Sequence, residues 1–188
     1  MASPNAFERG SEWRQWDLHV RTPASFHWQG AKFDADPNSA SNRSLVDEMI
    51  ATINAAEPAV FALMDYWTFD GWFALKRRLQ EAGAPQLHKK VFPGIELRLM
   101  APMNTPNGRL NAHVVFSDLI PDQTLHDFKA DLRVAIVDRP LSNAALVTLA
   151  QSSSEDILKV HSFKKADMTD QAKALHAGAS MAESLVPN

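Results

Sequence analysis

Trp16-Asp17-Leu18-His19-Val20-Arg21 alternates strictly, with Trp16, Leu18 and Val20 in one phase and Asp17, His19 and Arg21 in the other. Side chains on a strand point to opposite faces with a period of two, so this segment predicts a half-buried strand with a chemically active polar face. Residues 22–43, TPASFHWQGAKFDADPNSASNR, are rich in Pro, Ser, Asn and Asp and read as a long loop. Long loops inside compact domains often carry function, and His27 lies in this one. Ser44 opens a helix signal, with Asp47 three residues on and Val46, Met49, Ile50 and Ile53 at helical spacing until Pro58 stops it. Ala59 to Met64, AVFALM, is a short unbroken apolar run, the mark of a strand buried on both faces. It exits through Asp65-Tyr66 into a second helix running to about Ala82, where Trp72, Leu75 and Leu79 share a face and Gly83 supplies the stop. Strand, helix, strand, helix is the order of an α/β fold. The Trp16, Trp67 and Trp72 side chains are expected in its core.

Further on, Gly94 to Ala101 and Leu110 to Phe116 flank a Pro- and Asn-rich connection containing Asn107-Gly108, which predicts a hairpin or two neighbouring strands. Glu96 and Arg98 oppose Ile95, Leu97 and Leu99; Asn111 and His113 oppose Leu110, Ala112 and Val114. From Pro121 the sequence predicts short helices around 121–132, 143–150, 154–163 and 169–177, with no strong strand after Val134 to Val137. The expected organisation is one domain over 1–188, its motif-bearing α/β part spanning 1–120 and a mainly helical part 121–188.

The chain of 188 residues carries 19 Lys and Arg against 22 Asp and Glu, a net charge of −3, so no strongly basic surface binds phosphate backbones along its length. With no cysteine, thiolate zinc sites, disulfides and cysteine nucleophiles are excluded, and metal chemistry falls to His, Asp and Glu. No run approaches the ~20 apolar residues of a membrane span, and the N-terminal MASPNAFERGSEWRQWD lacks a signal-peptide pattern, so a cytoplasmic protein without membrane contact is expected. A polar phase on a strand is ordinarily just a solvated face. If the three strands are neighbours, however, His19, Glu96 and His113 converge on one surface, with His27 nearby in its loop. Two His and a carboxylate are a ligand set that Zn²⁺, Mn²⁺ or Fe²⁺ accepts, and such an ion polarises a phosphoryl oxygen and activates water without a protein nucleophile. His88, His126, His161 and His176 sit in helical or loop contexts that predict surface positions.

The run Trp16 to Ser25 resembles the first motif of the PHP (polymerase and histidinol phosphatase) family, D-x-H-x-H-T followed by a small residue and Ser. Asp65-Tyr66 at a strand end resembles its second motif, Thr-Asp-His; Pro93-Gly94-Ile95-Glu96 resembles its G-x-E motif; and Asn111-Ala112-His113-Val114 resembles the His motif that follows. GSEWRQWDLHVRTPASFHW, MDYWTFDG and FPGIELRL are together similar to the N-terminal PHP-like domain of large bacterial AAA-like ATPases linked to DNA repair or phage defence. The similarity spans the chain, with its specific motifs between Gly10 and Phe116.

The resemblance implies a partial or distorted (β/α)7 barrel with a helical C-terminal third, its site at the carboxyl ends of the strands. It implies metal ligands His19, His27, Glu96 and His113 for one or two ions of Mn, Zn or Fe, and catalytic roles for Asp17, Asp65 and Arg21, the last as a forked donor to substrate phosphate. The sequence departs from the family at Arg21, which stands where a second His would ligate, and at Tyr66, which replaces the His of the second motif. The C-terminal His-Pro and Asp-x-His motifs have no counterpart. Two functions follow. One is a metal-dependent phosphoesterase or nuclease acting on a phosphate ester or nucleic acid, with an ATPase as partner or fused domain. The other is a catalytically degenerate module that binds a partner or nucleic acid.

Overall fold

The protein is seen as a computed structural model that describes residues 13–100 and 110–185. The Asn107-Gly108 connection, Ala101 and the Gly10–Glu12 start of the first resembling segment lie outside the described residues.

The expected alternation is present: β1 (Trp16–Val20), α1 (Ala40–Ala55), β2 (Val60–Tyr66), α2 (Asp70–Gln80) and β3 (Lys90–Leu99). β1 pairs parallel with β2, and β2 parallel with β3. β4 (Leu110–Val115) returns antiparallel on β3, the neighbouring strand expected. The remaining elements are α3 (Asp122–Asp131), β5 (Arg133–Val134), β6 (Arg139–Pro140), α4 (Asn143–Ser152), α5 (Glu155–Val160), a 3-10 turn (Lys165–Thr169), α6 (Gln171–Met181) and β7 (Ser184–Leu185). β7 joins β3 at Leu99 and carries β5 and β6 beyond it, giving an α/β fold whose curled mixed sheet forms a half-barrel.

β2 is buried at every position, as a continuous apolar run between two parallel neighbours should be. In α1, Val46, Ile50 and Ile53 are buried, but the helix begins four residues before Ser44. Ser39, not Ser44, is the cap: its hydroxyl accepts from Asn42 N–H at 3.1 Å. The buried Asn42 amide then ties the long loop to the helix, donating to the carbonyls of Asp34 and Asp36 and accepting from Asp34 N–H. In α2, Trp72 and Leu75 are buried, whereas Leu79 is half out in the last turn, 38% exposed. The chain then turns at Gly83, where φ is +74° and a side chain would be strained.

β1 departs most from expectation. Trp16 and Leu18 are 56% and 38% exposed, so the strand does not bury one clean phase. It lies at the end of the sheet order, and its register against β2 shifts between Asp17 and Val20, which breaks the alternation. Trp16 lies stacked against Phe92 on the sheet surface instead of joining Trp67 and Trp72 in the core.

The C-terminal helices fall near their expected spans, except that the one expected over 154–163 ends at Val160 and the one expected over 169–177 runs from Gln171 to Met181. The expected strand Val134 to Val137 is cut after Val134, because Ile136 and Asp138 take positive φ and Val137 N–H closes a tight turn on Ala135 C=O. α6 packs so closely on α4 that Gly178 lies against the Leu146 backbone. At the exit of β2, buried Trp67 takes φ +60°, a conformation held by its N–H on Glu96 C=O at 3.2 Å and its indole N–H on Ala179 C=O at 3.1 Å. That turn fixes Tyr66, Glu96 and α6 relative to one another.

Candidate metal centre

The sheet register sets the site. Tyr66 on β2 lies opposite Glu96 on β3, and Glu96 lies opposite His113 on β4. Residues opposite one another across strands project to the same face, so the three form one row. His19 enters from β1. Its Nε2 lies 3.0 Å from Glu96 Oε2, while His113 Nε2 lies 3.7 Å from Glu96 Oε1. One ligand atom from each of His19, Glu96 and His113 falls within 4.8 Å of the others. Ligands at ~2.0–2.1 Å in a tetrahedron stand ~3.3 Å apart, so this spacing fits a single ion after small side-chain adjustments. Two His and one Glu are a donor set that a divalent ion such as zinc accepts.

Glu96 forms the floor, its side chain only 2% exposed, while His19 and His113 stand toward solvent. Its carboxylate is well served. Arg21 donates to Oε2 at 2.7 Å and Asn111 Nδ2 to Oε1 at 2.9 Å. The Asn111 amide also donates to the Tyr66 hydroxyl at 3.1 Å, and that hydroxyl in turn donates to Glu96. Burial opposes ionisation of Glu96, but the Tyr66 hydrogen bond and the charges of Arg21, His19 and His113 overcome it and hold its carboxyl below the usual range. The Tyr66 phenol moves the other way, pushed up by burial and then by its bond to Glu96, so it stays protonated and serves as a donor.

Arg21 is the cation paired with this carboxylate. Besides Glu96, its Nη2 lies 3.2 Å from His19 Nε2, and its guanidinium lies over the Tyr66 ring at 4.4 Å. A second carboxylate controls the turn that delivers it. Asp65, 1% exposed at the end of β2, accepts from Thr22 N–H at 2.8 Å and from the Thr22 hydroxyl at 2.7 Å. Burial pushes the Asp65 carboxyl up to about 7 against the lowering effect of those two bonds and of Arg21. Asp65 therefore latches the residue following Arg21 and does not reach the ligand cluster.

Asp17 also stands apart, its Oδ1 accepting from His19 N–H at 3.0 Å across the irregular stretch of β1. His27 is outside the cluster of three, its ring lying edge-on to Tyr66 at 5.0 Å. His176, expected on an ordinary surface, lies 6.3 Å from the His27 ring. Asn111 and Arg98 share the polar phases of His113 and Glu96, so their places at the site were signalled by the same alternation, though neither type is a metal ligand. Nothing in sequence spacing pointed to His176, which arrives on α6.

Among the described residues no helix is long and apolar enough to cross a membrane. Compared with known protein families, with curated proteins and with solved structures, the chain matches none.

Proposed function

We propose that this protein is a metal-dependent phosphoesterase of the PHP type with a depleted site, which binds one divalent ion, Mn, Zn or Fe, between His19, Glu96 and His113. The observation that carries this reading is the convergence of His19 and His113, each from its own strand, on the buried Glu96 carboxylate of a third. In this reading the half-barrel is a trimmed (β/α)7 barrel, supported by three parallel strands with the candidate site toward their carboxyl ends. A divalent ion there supplies Lewis-acid polarisation of a phosphoryl oxygen and activation of water. The chain's own residues divide the remaining work. Asn111 and Tyr66 orient the Glu96 carboxylate, Asp65 and Thr22 fix the approach of Arg21, and the Arg21 side chain, 25% exposed, has room to turn from Glu96 to a substrate phosphate. An association with an ATPase, as partner or fused domain, in DNA repair or phage defence rests on the resemblance of the three segments.

A second reading is favoured by one contact: Arg21 already neutralises Glu96 where an ion would sit. On that reading the module is degenerate and binds a partner or nucleic acid. Hydrolysis of generic phosphate mono- and diesters with Mn²⁺, Zn²⁺ or Fe²⁺, with and without EDTA, separates the two. The phosphoesterase reading expects activity that EDTA abolishes and that falls at least ~100-fold in Glu96→Gln and His113→Ala, the scale of losing several kcal/mol of metal-derived stabilisation. Absent turnover in protein that takes up no ion would hand the site to the degenerate reading, and chelator-insensitive turnover would overturn the metal-dependent one.

A further inference from the structure

Away from the ligand cluster, the 23–37 loop, α2, α3 and α6 enclose a cleft of about 1280 Å³ that none of His19, Glu96 and His113 lines. That is room for more than a drug-sized ligand. Its lining carries Lys32, Lys76 and Arg77 against Asp34, Asp70 and Asp122, so no excess of either sign invites a polyanion. Half of these charges are already answered. Lys76 pairs with Asp122 at 2.6 Å, and Asp34 accepts from the Ser39 hydroxyl at 2.9 Å. Lys32 reaches only the Phe26 carbonyl and Arg77 only the Pro37 carbonyl, each at 3.3 Å. The Asp70 carboxylate has no hydrogen bond or ion pair among the described residues. Asp70 and Arg77 are both on α2, and a spacing of seven residues at about 1.5 Å and about 100° each sets them on one face, about 10 Å apart along the axis. Between them on that face lie Phe73 and Ala74. The Phe73 ring stacks on His126 of α3 at 4.6 Å, and Phe26 and Phe33 line the cleft from the loop.

We infer that this cleft binds a short peptide with free ends, about three residues long, its α-ammonium on Asp70, its carboxylate on Arg77 and an apolar middle side chain on Phe73. Three extended residues span about 10 Å, the separation of the two unanswered charges. A guanidinium can take a carboxylate through two parallel N–H donors, and Arg77 spends only one nitrogen on Pro37. An apolar acid or an apolar amine would answer one end of the stripe and leave the other bare, and a phosphate ester would bring like charge toward Asp70. The inference stands apart from the metal reading, because the cleft and the ligand cluster share no residue.

The test titrates the full chain in EDTA with the tripeptide Ala-Leu-Ala and follows two ring resonances by NMR, His126 inside the cleft and His88 outside it. The free tripeptide is expected to move His126 saturably and to leave His88 unmoved. N-acetyl-Ala-Leu-Ala, Ala-Leu-Ala amide and the dipeptide Leu-Ala are each expected to bind at least ~5-fold more weakly, the loss of one partly solvated ion pair. Asp70→Asn should weaken the free tripeptide by a similar factor and erase its advantage over the acetylated one. Arg77→Met should do the same with respect to the amide, and Arg77→Lys should fall between. No saturable movement of His126 in the wild type would overturn the cleft assignment, and so would unchanged affinity in folded Asp70→Asn or Arg77→Met. Equal binding of the blocked peptides or of the dipeptide would overturn the two-ended reading on the wild type alone, with no variant required to fold.

Discussion

Arg21 and Asp65 show how much one side chain decides here. Arg21 sits 2.7 Å from Glu96 Oε2, so a divalent ion entering the His19–Glu96–His113 cluster must first displace a cation already compensated by a buried carboxylate. Arg21→His removes that competitor and adds a nitrogen ligand; isothermal titration should show Zn²⁺ or Mn²⁺ binding tightened by at least ~10-fold, about 1.4 kcal/mol. Unchanged affinity would mean that Tyr66 and the absent C-terminal His motifs limit the site instead. Asp65 governs pH dependence. Its carboxyl, ordinarily near 3.8, titrates at about 7 in the fold. Between those values the folded protein holds a proton that the unfolded chain has released. Its contribution to stability is therefore fully present below pH ~4 and is lost as pH rises through ~7. Asp65→Asn can keep the Thr22 N–H bond while removing the charge, so urea midpoints compared at pH 5 and pH 8 should differ less in the variant than in the wild type.

At the level of elements, two glycines carry close approaches that side chains would break. A Cβ on Gly178 would run into the Leu146 carbonyl, so Gly178→Ala pushes α6 off α4 at a cost of about 1–3 kcal/mol by urea unfolding. Because His176 is on α6, the same variant should also move its ring relative to His27. Gly71, in the first turn of α2, packs on the latch: an added Cβ would overlap the Thr22 hydroxyl and lie 2.5 Å from Asp65 Oδ2. Elements with strong local signals were legible in the sequence. The apolar run of β2 and the 46-50-53 spacing of α1 needed no tertiary information, and the phases of β3 and β4 put Glu96 and His113 on one face. β1 misled because an edge strand with a shifted register loses the link between phase and burial, although its phase still placed His19. The cap at Ser39 was hidden because it depends on Asn42 bonding back to a loop. β5, β6 and β7 are two residues each, too short for any periodicity, and His176 reaches the site only through the packing of α6.

Across the whole molecule, the cluster joins three strands, with His19 distant in the chain from Glu96 and His113, and it does so at the outer strand β1, whose apolar side chains are the least buried of the long strands of the sheet. Beside the stacking of Trp16 on Phe92, the Arg21–Glu96 and His19–Glu96 contacts tie the end of β1 to β3. An ion ligated by His19, Glu96 and His113 would bind the folded state only, since the unfolded chain must close long loops to assemble the same ligands. Mass action then fixes the size of the effect: an ion at 100 times its Kd adds about 2.7 kcal/mol, which for a chain of this length raises Tm by about 5–10 °C. Thermal melts with Mn²⁺, Zn²⁺ or Fe²⁺ should show that rise in the wild type, a larger one in Arg21→His, and none in Glu96→Gln, which keeps the shape of the floor but loses its charge. A flat response in the wild type with a rise restored in Arg21→His would identify the guanidinium as the permanent occupant of the site, and β1 would then be held by an ion pair evolved in place of a metal.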